Sequence, residues 1–235
     1  MQLRLDKYLA DLSVDTRSKV KLLIRKGRVR VNNEIAKKPE TKIDTETDTV
    51  TVDGRKLVYH PFEYYMLNKP AGVLSAARDK KQPTVLDLIE SDRKDLFPVG
   101  RLDYTTTGLL IMTNDGDLTY TLTHPKHEVY KTYVAVVAGV LSDSRVAKLR
   151  KGVDIGGFVT SPAKVKVIKQ LPRRAVVEIK IREGKNRQVR KMFAAAGNRV
   201  QELKRTAIGD IPLGRLMEGH YRKLSREEIE YLKSL

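Results

Sequence analysis

Asp103 stands in the stretch Gly100-Arg101-Leu102-Asp103-Tyr104-Thr105-Thr106-Thr107-Gly108, built from glycine, hydroxyls and one cation. A carboxylate in such a place has two uses. Aspartate forms turns, because its side chain bonds to nearby backbone. It also serves as a covalent nucleophile when neighbouring cations keep it ionised. Two further groups could join such a site: Tyr133, in an alternating apolar run, and Arg190, in Gln188-Val189-Arg190-Lys191-Met192-Phe193. Both have plainer readings, a core aromatic for Tyr133 and one more phosphate contact for Arg190. The chain has no cysteine, which removes disulfides, thiolate metal sites and cysteine nucleophiles together. Its four histidines are scattered, and His124-Pro125 reads as a turn, so His124 and His127 make a weak metal pair. No dinucleotide loop or phosphate loop is visible, and no cofactor is expected.

The elements that must position these groups follow from hydrophobic period. Beyond the loop, Leu109–Thr113 reads as an apolar strand ending in a hairpin-like Asn114-Asp115-Gly116 turn. Further strands are expected at 64–67, closed by Asn68-Lys69-Pro70-Ala71-Gly72, and at 131–137, 163–168 and 175–181. Helices are expected at 84–90, 142–151, 187–196 and 225–233, the last opened by a capping box of Ser225 and Glu228. In the third of these, Val189, Met192, Phe193 and Ala196 form a buried stripe and leave Arg190 off its centre, free to reach a neighbouring site.

The first sixty residues follow a different logic. Leu5, Tyr8, Leu9 and Leu12 recur at helical spacing, and Val20, Leu23 and Ile24 mark a second helix stopped by Gly27. Val29 and Val31, then Val50 and Val52, alternate as half-buried strands, with Asp53-Gly54 as a hairpin turn. Between Thr16 and Arg30 the charges have one sign: Arg17, Lys19, Lys21, Arg25, Lys26, Arg28 and Arg30. A merely solvated face would mix signs. Over 235 residues, 46 Lys and Arg against 29 Asp and Glu give a formal charge of +17, which calls for a polyanionic partner. RNA, DNA and an anionic membrane surface all qualify. No apolar run is long enough to span a membrane, and Met1–Asp11 lacks a secretory signal, so a cytoplasmic nucleic-acid protein is expected. The boundary between the two segments is placed near Tyr59-His60-Pro61, giving domains 1–59 and 60–235.

Two resemblances sharpen this reading. Arg4-Leu-Asp-Lys-Tyr-Leu9, Arg17, Leu23-Ile-Arg-Lys-Gly-Arg-Val-Arg-Val-Asn32 and Asp48-Thr-Val-Thr-Val-Asp-Gly54 resemble the S-four RNA-binding domain, departing from it at Ser13-Val14. Gly100-Arg101-Leu102-Asp103, Thr107-Gly108-Leu109-Leu110 and Thr113-Asn114-Asp115-Gly116 resemble the central motif of pseudouridine synthases. Asn68-Lys69-Pro70-Ala71-Gly72-Val73, Lys131-Thr132-Tyr133 and Glu183–Phe193 resemble other motifs of the RsuA/RluB branch, which modifies ribosomal RNA. The resemblance implies an α+β protein: a small helix-helix-sheet RNA-binding domain, then a catalytic domain with a largely antiparallel mixed sheet flanked by helices.

It also implies roles. Asp103 matches the nucleophile, Arg190 its basic partner, and Tyr133 the tyrosine against the target base. Ile181 is the candidate for the aliphatic pocket residue, with Leu102 and Thr107 beside it. RNA contacts are expected from Arg4, Lys7, Arg17, Lys19, Lys21, Arg25, Lys26, Arg28 and Arg30, and from Lys69, Arg101, Lys185, Arg187 and Lys191. Arg182, Arg199, Lys204 and Arg205 add basic residues on the catalytic side. Asn186-Arg187-Gln188 leans toward members acting on large-subunit RNA. A small-subunit enzyme, and a non-catalytic ribosome-assembly factor, remain as alternatives. The partner is ribosomal RNA or an assembling subunit, and the chain is expected to be a monomer.

Overall fold

The computed structural model describes residues 2–12, 14–59, 62–91, 93 and 95–235. The chain divides into two units, Met1–Phe62 with Glu90–Leu96, and Glu63–Ile89 with Phe97–Leu235. Two residues of the expected boundary, His60 and Pro61, lie outside the described residues, as does Ser13.

In the first unit, β1 (Gln2–Arg4) leads into α1 (Leu5–Asp11) and α2 (Arg17–Arg25). Then come β2 (Val29–Val31), β3 (Glu34–Ile35), β4 (Lys42–Asp44), β5 (Val50–Val52) and β6 (Arg55–Leu57). The strands form an antiparallel sheet in the order β3-β2-β5-β6, and β1 pairs separately with β4. Leu5, Tyr8, Leu9, Val20, Ile24, Val29 and Val50, positions that the helical and alternating periods mark, make its core together with Ile43, which they do not. Asp53 and Gly54 both take positive φ, 49° and 80°, as a two-residue hairpin turn demands. Asp6 is wholly buried and is met by Arg4 at 3.0 Å and Arg17 at 3.6 Å. Burial alone would raise its pKa, but the Arg4 hydrogen bond and the Arg17 charge outweigh that and hold it below its ordinary value.

The second unit is built on one mixed sheet. Its strands are β7 (Tyr64–Lys69), β8 (Phe97–Pro98), β9 (Thr107–Thr113), β10 (Lys131–Ala138), β11 (Lys164–Leu171), β12 (Arg174–Ile181), β13 (Val200–Ile208), β14 (Ile211–Pro212) and β15 (Tyr221–Lys223). The order is β11-β12-β10-β13-β9-β7-β15, with β14 beside β13 and β8 beside β9. Among the strands of the described residues, the β9–β13 pairing alone is parallel. The helices are α3 (Gly116–Thr123), α4 (Asp143–Lys151), α5 (Gln188–Ala195) and α6 (Arg226–Lys233). Val189, Met192 and Phe193 of α5 and Ala196 at its C-cap join Ala135, Val137, Val177 and Ile179 of the sheet in one core. Met66, Leu109, Ile111, Leu118 and Leu232 form a second core. From Gly108 to Thr113 every residue of β9 is buried, which explains its unbroken apolar run.

Two local expectations need correcting. Asn114-Asp115-Gly116 is no hairpin: the Asp115 carboxylate accepts from the Asp117 and Leu118 amides at 3.0 and 3.1 Å and caps α3. The helix expected at 84–90 is a single 3-10 turn, Val85–Leu88, because Thr84 and Asp87 close a capping box and Ile89 is already extended. At Ser225 and Glu228 the expected capping box is present.

Candidate active site

Asp103 lies on the connection between β8 and β9, and that connection is tied down from below. The Ser75 hydroxyl donates to the Leu102 carbonyl at 2.8 Å and accepts from the Leu102 amide at 3.1 Å. Lys69, at the end of β7, is fully buried. Its ammonium donates to the carbonyls of Pro70 (2.9 Å), Thr106 (3.1 Å), Asp103 (3.3 Å) and Tyr104 (3.4 Å). Burial pushes Lys69 down to about 8, with Asp103 and Glu218 opposing. Lys69 therefore holds the loop from inside and is not a phosphate contact, contrary to the sequence expectation. At Gly108 an added Cβ would fall 2.2 Å from the Arg205 carbonyl, so only glycine permits the close β9–β13 approach that launches the strand from this loop.

Two guanidiniums face the carboxylate from the β12–α5 side. Arg190 Nε lies 3.7 Å and Arg187 Nη1 3.8 Å from Asp103 Oδ2. Only 12% of the Arg190 side chain is exposed, against 51% for Arg187. Arg190 also donates to Thr105 Oγ1 (3.2 Å) and Thr106 Oγ1 (3.4 Å), so the threonine run orients it. Burial and the Arg187 charge pull Arg190 below its ordinary pKa, and Asp103 opposes them. Arg187 takes a left-handed φ of 52° at the start of α5, a conformation rare outside glycine and common at functional turns. The turn before it is braced by Gln188, whose side chain accepts from the Lys185 amide and donates to Glu183.

A cavity of about 870 Å³ opens beside this carboxylate, within the ~300–1,000 Å³ range of small-molecule sites. Tyr133, Lys131, Ile181, Leu203, Arg205 and Ile208 of the sheet line it, with Asp103 and Leu102 from the loop. The structure thus brings Asp103, Tyr133, Arg190, Leu102 and Ile181 into one neighbourhood. It does not bring Thr107, the first residue of β9, into the lining; Thr106 stands there instead, because strand pairing with Lys204 fixes Thr107 in the sheet. Arg101, Lys185 and Arg187 are exposed at the cavity, whereas Lys191 is exposed on α5 away from it. Arg205 is only 5% exposed and is no rim contact. Sequence reasoning did not single out Lys131, Ser75 or the Arg187–Asp103 approach. Lys131 had a usable signal: it occupies the same face of β10 as Tyr133, Ala135 and Val137, an inward position for a cation.

In the first unit Arg4, Lys7, Arg17, Lys19 and Arg28 are exposed but engaged, with Asp6, Asp11, Asp6, Asp15 and Asp53 respectively. Arg30 donates to the Asn33 carbonyl. Lys21, Arg25 and Lys26 of α2 and its end have no ion pair among the described residues.

The family described as RNA pseudouridylate synthase matches residues 63–195, and the S4 domain matches residues 3–50. A Bacillus subtilis protein named ribosomal large subunit pseudouridine synthase B is 38% identical over 235 residues, covering 99% of this chain and 96% of that one. A Vibrio cholerae protein named ribosomal small subunit pseudouridine synthase A is 38% identical over 231 residues, covering 97% and 98%. The crystal structure of a pseudouridylate synthase superposes with a TM-score of 0.68 at 36% identity, covering 98% of this chain and 99% of that one.

Proposed function

Since this chain belongs to the RNA pseudouridine synthase family, we propose that it isomerises one uridine of large-subunit ribosomal RNA, with Asp103 as nucleophile. One observation supports the assignment most: a carboxylate at the cavity edge, on a loop held by Lys69 and Ser75, with two guanidiniums within 3.8 Å. A carboxylate so placed is oriented by the two cations beside it and faces the cavity. Arg190 positions it, and Tyr133 and Ile181 bound the space for a flipped base. The exposed Arg101, Lys185 and Arg187 offer contacts to the flanking phosphates.

Residues 1–59 act as the RNA-binding module through Lys21, Arg25 and Lys26, and residues 60–235 as the catalytic domain. The protein works as a cytoplasmic monomer on ribosomal RNA or an assembling subunit. Asn186-Arg187-Gln188 supports the large subunit; the equal identity to a relative named for the small subunit supports the second reading. Carbodiimide-dependent primer extension on unmodified transcripts from both subunits distinguishes them. A new stop at one large-subunit uridine is expected. A stop on small-subunit RNA alone overturns the choice of substrate, and none on either RNA or on partly assembled subunits overturns the enzyme reading.

A further inference from the structure

The cavity floor carries two cations that the nucleophile and its partner do not use. Lys131 of β10 and Arg205 of β13 both line the space beside Tyr133, and Arg205 is the register partner of Tyr133 across the two strands. Arg205 is 5% exposed. Its Nε donates to the Leu109 carbonyl at 2.7 Å, which fixes the guanidinium plane. Its Nη2 is buried and has no hydrogen-bond partner among the described residues. Neither cation has a carboxylate within ion-pair distance among those residues. Burial and the Arg205 charge push Lys131 down to about 8, as expected for two like charges held together out of water. Such a pair costs stability unless something negative enters.

We propose that Lys131 and Arg205 stabilise the negative charge that develops on a uracil ring carbonyl during the reaction. This inference rests on the pseudouridine synthase reading above. It does not depend on how Asp103 attacks. Addition of the carboxylate to ring carbon six pushes an electron pair through carbon five onto the carbonyl at position four. Rupture of the bond between the anomeric carbon and N1 leaves its pair on N1, shared with the carbonyl at position two. In the second half an electron pair on carbon five forms the bond to the anomeric carbon, and the carboxylate leaves with the pair of the bond it had made to carbon six or to the anomeric carbon. The proton on carbon five leaves to water so that its pair restores the ring double bond, and N1 gains a proton. Atoms and electrons balance with no co-reactant.

A phosphate is the poorer occupant of this floor. Leu102, Ile181, Leu203 and Ile208 surround the pair, while the exposed Arg101, Lys185 and Arg187 stand where a backbone would pass. A flipped base enters first and its phosphates stay outside. Donors fixed before the reaction, in a place shielded from water, are the arrangement that favours a transient anion over a neutral ring.

The test is single-turnover isomerisation with wild type, Lys131→Met and Lys131→Arg, read together with RNA affinity and melting temperature. Lys131→Met is expected to slow the reaction by about 100-fold, as loss of one donor to a developing anion does. RNA affinity should stay near wild type, the melting temperature should not fall, because the variant removes one of two buried like charges, and Lys131→Arg should recover most of the rate. RNA with 5-fluorouridine at the target supplies the discriminating readout, because fluorine stabilises the uracil anion unaided. The ratio of wild-type to Lys131→Met rates, measured as loss of the original nucleoside, should contract on that RNA. An equal ratio on both RNAs, a loss of affinity in place of rate, or an unimpaired Lys131→Met overturns the proposal while leaving an active wild type intact. A wild type that makes no pseudouridine overturns the parent reading instead, and this one with it.

Discussion

Replacing Lys69 by methionine removes a side chain that ties the end of β7 to the loop of Asp103. Methionine keeps most of the buried apolar stem, so the loss is concentrated at the ammonium. Its two shorter bonds, to Pro70 and Thr106 at 2.9 and 3.1 Å, are each worth about 2 kcal/mol as hydrogen bonds from a charged donor. The two longer ones, at 3.3 and 3.4 Å, are worth about 1 kcal/mol each. Against this, the variant no longer buries a charge. A shift from 10.5 to about 8 corresponds to roughly 3 kcal/mol at about 1.4 kcal/mol per pKa unit. The net loss is about 3 kcal/mol, which lowers the melting temperature by roughly 6–12 °C for a unit of this size. The assay is thermal unfolding followed by circular dichroism, alongside single-turnover rates well below the transition. The rate should fall more than RNA affinity, because the loosened backbone is that of Asp103, Tyr104 and Thr106. A melting temperature within 2 °C of wild type, beyond the scatter of such a measurement, would refute the reasoning about the carbonyl cage.

Further outcomes follow from the same structure. Because folded Asp6 binds its proton less tightly than the unfolded chain, its ion pairs stabilise the fold above the ordinary value of 3.8 and lose that effect as the pH falls through the lower folded value. Asp6→Asn should therefore cost about 1–2 kcal/mol at neutral pH in denaturant titrations, with the gap to wild type closing in acid; a gap constant with pH would contradict this. Gly108→Ala places a methyl 2.2 Å from the Arg205 carbonyl at a φ of +105°, so a loss of about 3–5 kcal/mol is expected. An unshifted melt would show that β9 and β13 separate freely. Substituting Lys21, Arg25 and Lys26 by alanine should weaken RNA binding and reduce the slope of log affinity against log salt by about two to three. An unchanged slope would place the phosphate contacts elsewhere.

Much of the fold is legible in local pattern. The stripe of Val189, Met192, Phe193 and Ala196, the alternation through β10 and β12, the Asp53-Gly54 turn and the Ser225–Glu228 box each depend on residues within a few positions of one another. What the sequence hides depends on distant partners. Strand β13 reads as a mixed charged segment, because its pairing with β10 shifts register at Thr132/Tyr133 and Val136/Val137 and breaks the period of two. Lys69 looks like a turn cation, since three of its four carbonyl partners come 34 or more residues later. Arg205 sits beside Lys204 and reads as one of a surface pair, yet its head is buried against Leu109. Asp115 looks like half of a hairpin because an Asx turn and a helix cap share the same residues. Within the site, the motif order pointed to Asp103 and Arg190, but not to the second guanidinium beside the carboxylate, that of Arg187, whose backbone is left-handed.

The central claim is that the Asp103 carboxylate performs the chemistry and does not merely shape the loop. Asp103→Asn keeps the side chain's size, the backbone bonds of its carbonyl to Lys69 and Thr106, and the approach of Arg190. The measurement is pseudouridine formation under single-turnover conditions with excess Asp103→Asn, on the transcript that wild type modifies, beside the affinity of both proteins for that RNA. Affinity within a few-fold of wild type and no detectable pseudouridine is the predicted result. Product formed at a rate near wild type, or binding lost along with activity, would contradict the assignment.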